Sequence, residues 1–400
     1  MKELKPGAAR ALFLSTTAFA VSFALWGLIA ALAPTFTQAY GLSATARSLM
    51  IAIPVLLGSI GRIPAGMLAD RFGGRRVFAA LLLLSAIPAA GIGLSSSYIQ
   101  LVWLGVFLGI AGTSFAIGVS FTSRWFTNDQ QGTALGVFGM GNIGQSVAVF
   151  GAPVLAISLG SWRPVFYIFA IISAIWGITF YLFARDAVSP VKPKTFYENL
   201  AVLRRSPLAW VLSLFYFLTF GGFVAFSIYL PTLLKDLFKL SPADAGARTA
   251  GFVLLATLMR PIGGMLGDRF GGARVLVPVF ISIAVLGALM GCPWMPTFTV
   301  GALGAAAALG LGNGAVFKLV PQYFSKETGT VTGLVGAFGG LGGFFPPLVL
   351  GVIRDATGSY VFGFILLALS AVTCFLVNYL VFIRPAREES VGALRAQSAQ

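Results

Sequence analysis

Apolar stretches of about 20 residues recur along the whole chain, each long enough to cross a hydrocarbon core of about 30 Å as a helix. Twelve are counted, at 11–34, 46–68, 77–95, 99–123, 132–157, 164–183, 207–230, 248–266, 275–293, 297–322, 329–352 and 360–383. The chain is 58% hydrophobic and 10% charged, against about 25% charged in a soluble domain, so a soluble fold is excluded. An all-α membrane protein of twelve transmembrane helices is expected. The first stretch is longer than a signal peptide's apolar region and has no small-residue cleavage site after it, so it reads as a retained helix. Two cysteines, Cys292 and Cys374, and no histidine argue against a disulfide framework or a Cys/His metal site. No metal or cofactor is expected.

Basic loops stay on the cytoplasmic side of a membrane. Of the 27 basic residues, eighteen, including Arg71, Arg75, Arg76, Arg124, Arg204 and Arg205, fall on the side shared by both termini. Six lie opposite: Arg47, Arg163, Lys235, Lys239, Arg248 and Arg354. Both termini are therefore predicted to be cytoplasmic in a cell (inner) membrane protein. The net charge of +15 is mainly a topology signal and gives little support for nucleic-acid binding. Three basic residues remain inside the spans, Arg62, Arg260 and Lys318, while every Asp and Glu can be placed in a loop, helix end or tail. The membrane interior is thus expected to carry three cations with nothing ionic to balance them.

The segment GMLADRFGGRR, Gly66 to Arg76, returns as GMLGDRFGGAR, Gly264 to Arg274, at an offset of 198 residues. The same offset carries Arg62 onto Arg260, Gly141 and Gly144 onto Gly339 and Gly342, and Gly160-Ser161-Trp162 onto Gly358-Ser359-Tyr360. Six spans per repeat give both halves one orientation, so two six-helix bundles related by a pseudo-two-fold axis along the membrane normal are predicted. The expected units are an N-terminal bundle at 1–183, a cytoplasmic linker at 184–206, a C-terminal bundle at 207–383 and a cytoplasmic tail at 384–400.

Arg62 precedes Asp70 by eight residues, which places it about 12 Å inside the boundary, near the half-thickness of about 15 Å. Arg260 is level with it by the repeat. Similar counting puts Phe115 about 13 Å in from Arg124 and Asn142 about 15 Å in from Gly132. Each unpaired Arg or Lys at the helix centre costs roughly 2.5 to 3.5 kcal/mol. Snorkelling reaches the interface only partly from this depth. Backbone carbonyls and water can offset some of the cost, but two arginines at symmetric positions point to a transported anion. The planar fork of arginine donates parallel hydrogen bonds and keeps its charge. A planar oxyanion, phosphate or a dicarboxylate all fit between two such forks.

The DRFGGRR loop and its copy resemble the signature loop of the major facilitator superfamily, and the resemblance covers essentially the whole chain. In that superfamily the acidic residue caps a helix N-terminus and helps hold one state, which implies a gating role for Asp70 and Asp268, with Arg71 and Arg269 beside them. The glycine-rich segments VFGMGNIGQS, Val137 to Ser146, and VGAFGGLGGFFPP, Val335 to Pro347, resemble the paired nitrate signatures of the nitrate/nitrite porter family. Each interior glycine costs about 1 kcal/mol against alanine; close packing of small residues is the general reason to keep them. Gly139, Gly141 and Gly144 also fit G-x-G-x-x-G, but with no preceding strand a dinucleotide site is rejected. The resemblance implies that Tyr216 and Phe220, four residues apart on one helix face, Phe115, Asn142, Gly141 and Gly339 surround the anion with Arg62 and Arg260.

Lys318 is expected to face the cavity, where it either tunes anion affinity or carries a proton; the alternative is an ammonium directed to the cytoplasmic mouth about 10 Å away. Asn313, five residues before it, lies about 100° further round the helix than a spacing of four would put it and is kept as a further candidate.

The resulting expectation is a secondary transporter of nitrate or nitrite working by alternating access, functional as a monomer in the lipid bilayer. Moving one negative charge into an inside-negative cell costs about 2.3 kcal/mol per 100 mV, so inward uniport is uphill. Nitrate/nitrite exchange moves no net charge, whereas symport draws on protons. With no histidine and no membrane carboxylate, a conventional proton relay is missing, which leans toward exchange. The alternatives are a transporter of an organic phosphate or carboxylate, and a non-transporting nutrient sensor of the same fold. An enzyme is not expected, for want of a nucleophile, base or metal constellation in the membrane.

Overall fold

The computed structural model describes residues 5–187 and 196–385. Lys2, the linker residues Lys192 and Lys194, and Arg387 and Arg395 of the expected tail lie outside the described residues. All regular secondary structure described is helical. Among the described residues, eleven helices are long and apolar enough to cross a membrane: Ala8–Tyr40, Leu49–Phe72, Gly74–Leu94, Tyr98–Ser123, Gln131–Ser158, Arg163–Phe183, Pro207–Pro231, Asp244–Phe270, Gly272–Leu289, Met295–Tyr323 and Val361–Ile383. The helix Thr328–Thr357 stands in the place of the eleventh span, which makes Val361–Ile383 the twelfth. A short helix, Phe196–Arg205, leads into the seventh.

The repeat is written into the turns. Glycines with positive φ fall in pairs at the offset of 198: Gly73 at 86° with Gly271 at 89°, and Gly160 at 67° with Gly358 at 69°. Only glycine adopts this region without cost. The first pair lets the DRFGG loops reverse direction between the second and third spans and between the eighth and ninth.

Three spans of the first half are interrupted near mid-depth. The second breaks at Gly61, between the helices Ala44–Ile60 and Arg62–Phe72. Pro64 has no N–H to give the Ile60 carbonyl, and its ring crowds that carbonyl, which explains the break. The fourth tightens into a 3₁₀ turn at Gly109–Thr113, and the fifth at Met140–Asn142. The eighth, tenth and eleventh run through as α-helices.

This difference corrects the constant offset. An added Cβ at Gly132 would strike Gly264 and one at Gly329 would strike Gly66, so positions 132 and 329 are equivalent, 197 apart. Beyond the 3₁₀ turn, Gly144 backs onto Ala20 as Gly342 backs onto Phe217, a separation of 198. A 3₁₀ segment rises about 2.0 Å per residue against about 1.5 Å in an α-helix, so the three residues of the Met140–Asn142 turn cover about what four cover in the other half.

Candidate functional site: two buried arginines between the halves

Arg62 and Arg260 are 2% and 3% exposed. Each reaches across to the opposite half. Arg62 donates from Nη1 to the Gly336 carbonyl at 2.6 Å and from Nε to the Gly112 carbonyl at 3.0 Å. Arg260 donates from Nη1 to the Gly139 carbonyl at 2.9 Å and from Nη2 to the Tyr216 hydroxyl at 3.2 Å. Gly336 and Gly139 are equivalent positions in the shifted register, so the two crossings are the same contact made twice. The Gly112 carbonyl belongs to the 3₁₀ turn of the fourth span, which gives that irregularity a use.

Glycines in and just before the two signatures make this approach possible. An added Cβ at Gly136 would meet the Arg260 carbonyl, and one at Gly333 would meet the Arg62 carbonyl. One at Gly336 would lie 3.0 Å from Arg62 Cδ. Gly339 makes room for the rings of Tyr216 and Phe220, and Gly141 for the Phe19 ring. These last two glycines shape the site through its rings. A guanidinium has five N–H donors; among the described residues the protein acceptors above take two from each fork.

Aromatic rings wall the pair. Phe115 and Tyr216 are parallel, with centroids 6.2 Å apart and an interplanar angle of 8°. Tyr216 stacks on Phe220 at 4.9 Å and 2°. Phe317 stands edge-on to both Phe115 and Tyr216, at 4.7 and 4.6 Å. The Arg62 Cζ lies 5.7 Å from the Phe220 centroid and the Arg260 Cζ 5.2 Å from it, so one ring is shared by both cations, in the range of cation–π attraction. Phe317 is absent from the sequence-derived set. Its equivalent at an offset of 198 is Val119, so the repeat gives no hint of it; its spacing of four from Asn313 is the one signal in the sequence.

Asn142 closes the 3₁₀ turn of the fifth span and is 6% exposed, with no partner for its Nδ2 among the described residues. Asn313 is 3% exposed, and neither end of its amide has a partner among the described residues. It occupies the repeat position of Phe115, and the spacing of four sets it on the face that carries Phe317. Arg62, Arg260, Phe115, Tyr216, Phe220 and Phe317 are thus brought together, with the two asparagines on the spans that supply Gly139 and Phe317.

Lys318 goes elsewhere, which corrects its expected cavity position. Its ammonium lies 3.0 Å from Asp268 Oδ1, with both side chains 7% exposed. Asp268 ends the eighth span, within reach of a lysine on the adjacent tenth, and a buried ammonium takes the nearest carboxylate. Of the expected three unbalanced cations, two therefore remain among the described residues. Asp268 also accepts from the backbone N–H groups of Gly132 and Thr133 at 2.8 and 2.7 Å and from the Thr133 hydroxyl at 2.8 Å. Asp70 does the same to the eleventh span, accepting from Gly329 N, Thr330 N and Thr330 Oγ1 at 3.0, 2.8 and 3.0 Å. Its further partners are Ser120 Oγ at 2.9 Å and Arg124 Nη2 at 3.0 Å. Each carboxylate caps the N-terminus of a helix in the opposite half, where N–H groups are unsatisfied and the helix dipole favours a negative charge. Arg71 and Arg269 are exposed, and their guanidiniums lie over the neighbouring Phe72 and Phe270 rings at 5.1 Å. The cations found on the carboxylates are Arg124 and Lys318.

The sequence profile of the Major Facilitator Superfamily matches residues 14–247 and 212–398. The chain is 42% identical over 367 residues to a nitrite extrusion protein of Bacillus subtilis (strain 168), covering 92% of each chain. It is 39% identical over 372 residues to a probable nitrate transporter, NarT, of Staphylococcus epidermidis, covering 92% of this chain and 95% of the relative. With a probable nitrate/nitrite antiporter, NarK1, of Thermus thermophilus it shares 35% over 422 residues, covering 98% and 95%. The fold matches the human organic anion transporter MFSD10 with a TM-score of 0.79 at 16% identity, over 94% of this chain and 100% of the other. It also matches the E. coli fucose:proton symporter FucP with a TM-score of 0.75 at 16% identity, over 94% and 99%. With two six-helix halves, paired glycine signatures and relatives of this identity over nearly the whole length, the chain belongs to the nitrate/nitrite porter family of the major facilitator superfamily.

Proposed function

We propose that this protein moves nitrate and nitrite across the membrane by alternating access, binding one anion between Arg62 and Arg260. The observation that carries the reading is the arginine pair itself. Two permanent cations are buried at one depth, bonded to carbonyls and one phenolic hydroxyl, and surrounded by aromatic rings. An anion supplies the missing charge, and its oxygens accept the donors the protein leaves over. The parallel Phe115 and Tyr216 rings, with Phe220 and Phe317 beside them, favour a small planar ion over a bulky organic phosphate or carboxylate. Asn142 Nδ2 is a further donor for it, while Gly141 and Gly339 serve by admitting the rings.

The bundles at 1–183 and 207–383 rock about this point, joined by the linker 184–206. Release of the Asp70 and Asp268 caps opens the basic end, which is the cytoplasmic end of a cell-membrane protein. We assign the coupling to nitrate/nitrite exchange, because both carboxylates nearest the site are committed to helix caps and cations. The protein works as a monomer, each chain carrying a whole site.

The test is transport in proteoliposomes, with nitrate outside and nitrite inside, without internal nitrite, and with an imposed pH gradient. Nitrate uptake driven by internal nitrite is expected. Uptake that follows the pH gradient and ignores nitrite would replace exchange with proton symport, and no nitrate flux in any arm would sink the proposal.

A further inference from the structure

The lipid-facing side of the first half contains an apolar groove of about 800 Å³ between the second, third and fourth spans. Ile60, Leu68, Phe72, Leu84 and Phe107 stand along it with half or nearly half of their surface exposed. At mid-depth it reaches Gly61 and Thr113, where the second span breaks. Thr113 turns its hydroxyl onto the Ile110 carbonyl at 2.7 Å and sets its methyl against Gly61, so the inner end is apolar too.

At the other end the lining has one charged residue, Arg76, and it is exposed. Its neighbours are engaged elsewhere. Arg75 donates to the Tyr181 carbonyl at 2.7 Å and lies 4.7 Å over that ring, and Arg71 lies over Phe72. From Gly61 to Phe72 is eleven residues, about 17 Å of helix, close to the half-thickness of about 15 Å that one leaflet contributes. The groove is therefore as deep as one leaflet, apolar throughout, and cationic at headgroup level.

We propose that this groove is a binding site for one anionic phospholipid of the leaflet at the basic end, with an acyl chain along the second span and its phosphate on Arg76. The apolar length selects a lipid over a soluble phosphate, and a lining that offers Arg76 but no carboxylate to meet a choline ammonium favours an anionic headgroup over a zwitterionic one. A chain seated there packs against the Gly61–Pro64 break that starts the helix carrying Arg62, so occupancy supports the segment on which that arginine stands.

The experiment uses the full-length protein in a neutral detergent, titrated with phosphatidylglycerol, phosphatidylcholine or inorganic phosphate. Bound lipid is counted by native mass spectrometry and the thermal midpoint is followed. Retention of one phosphatidylglycerol at least fivefold better than phosphatidylcholine is expected, with a raised midpoint and no effect of phosphate alone. Arg76→Gln, a surface change, should erase the headgroup preference and keep residual chain binding. Ala80→Trp, from the groove wall, should weaken both lipids. Equal retention of the two lipids by the unaltered protein, an unchanged preference in Arg76→Gln, or full stabilisation by phosphate alone would each overturn the proposal.

Discussion

The Lys318 ammonium lies 3.0 Å from the Asp268 carboxylate, with both nearly sealed from solvent. Lys318 occupies the repeat position of Ser120, whose hydroxyl touches Asp70 at 2.9 Å. The two halves thus hold equivalent carboxylates with different partners. In the first the cation is Arg124, one turn closer to the basic end and 24% exposed; in the second it is Lys318, deeper and sealed.

Breaking this buried pair leaves an uncompensated charge, at a cost of about 3 to 5 kcal/mol. Lys318→Gln and Asp268→Asn should each lower the thermal midpoint in detergent markedly, and the double variant should lose less than the two losses summed, the part due to the cap on Gly132 and Thr133 remaining. Arg124→Gln, at a part-exposed pair, should cost less. Equal losses for Arg124→Gln and Lys318→Gln would argue against the inequivalence.

Replacing either arginine of the site by lysine keeps the charge and removes the fork. Loss of one or two charge-assisted hydrogen bonds is worth about 2 to 3 kcal/mol. Arg62→Lys and Arg260→Lys are expected to weaken nitrate binding roughly 30- to 150-fold, as measured by calorimetry on the purified protein. Near-normal affinity in either variant would remove that arginine from the anion.

Tyr216→Phe keeps the stacked ring and deletes only the hydroxyl that accepts from Arg260 Nη2. A hydrogen bond from a charged donor contributes about 1.5 to 3 kcal/mol, and at 3.2 Å this one belongs at the low end. The variant should fold normally and bind nitrate about tenfold more weakly. A loss as large as that of Arg260→Lys would show that the hydroxyl does more than orient the fork.

A methyl at Gly66 would strike the Gly329 carbonyl, and one at Gly264 the Gly132 carbonyl. Backbone cannot yield as a side chain can. Gly66→Ala and Gly264→Ala should hold the halves apart at the basic end. Spin labels placed at Arg71 and Lys326, both exposed, should show a longer distance population in these variants than in the parent.

By itself the sequence determined the class of fold, the repeat and the two arginines, because each follows from local arithmetic. A span must be about 20 apolar residues long, a segment that returns 198 residues later marks a repeat, and an arginine eight residues inside a boundary is at a known depth. The residue-by-residue resemblance added Phe115, Asn142, Tyr216 and Phe220. Tertiary structure decided the partners. Lys318 pairs with Asp268 because two helices adjacent in space bring them within 3.0 Å, and no spacing along the chain encodes that. Phe317 joins the ring cluster although the repeat does not mark it. The one-residue slip between the fifth and eleventh spans came from a 3₁₀ turn at Met140–Asn142, a choice of hydrogen-bond pattern fixed by what packs against it. Depth along a helix is a one-dimensional quantity and can be counted; which carbonyl or carboxylate a buried cation finds depends on how the helices lie against one another.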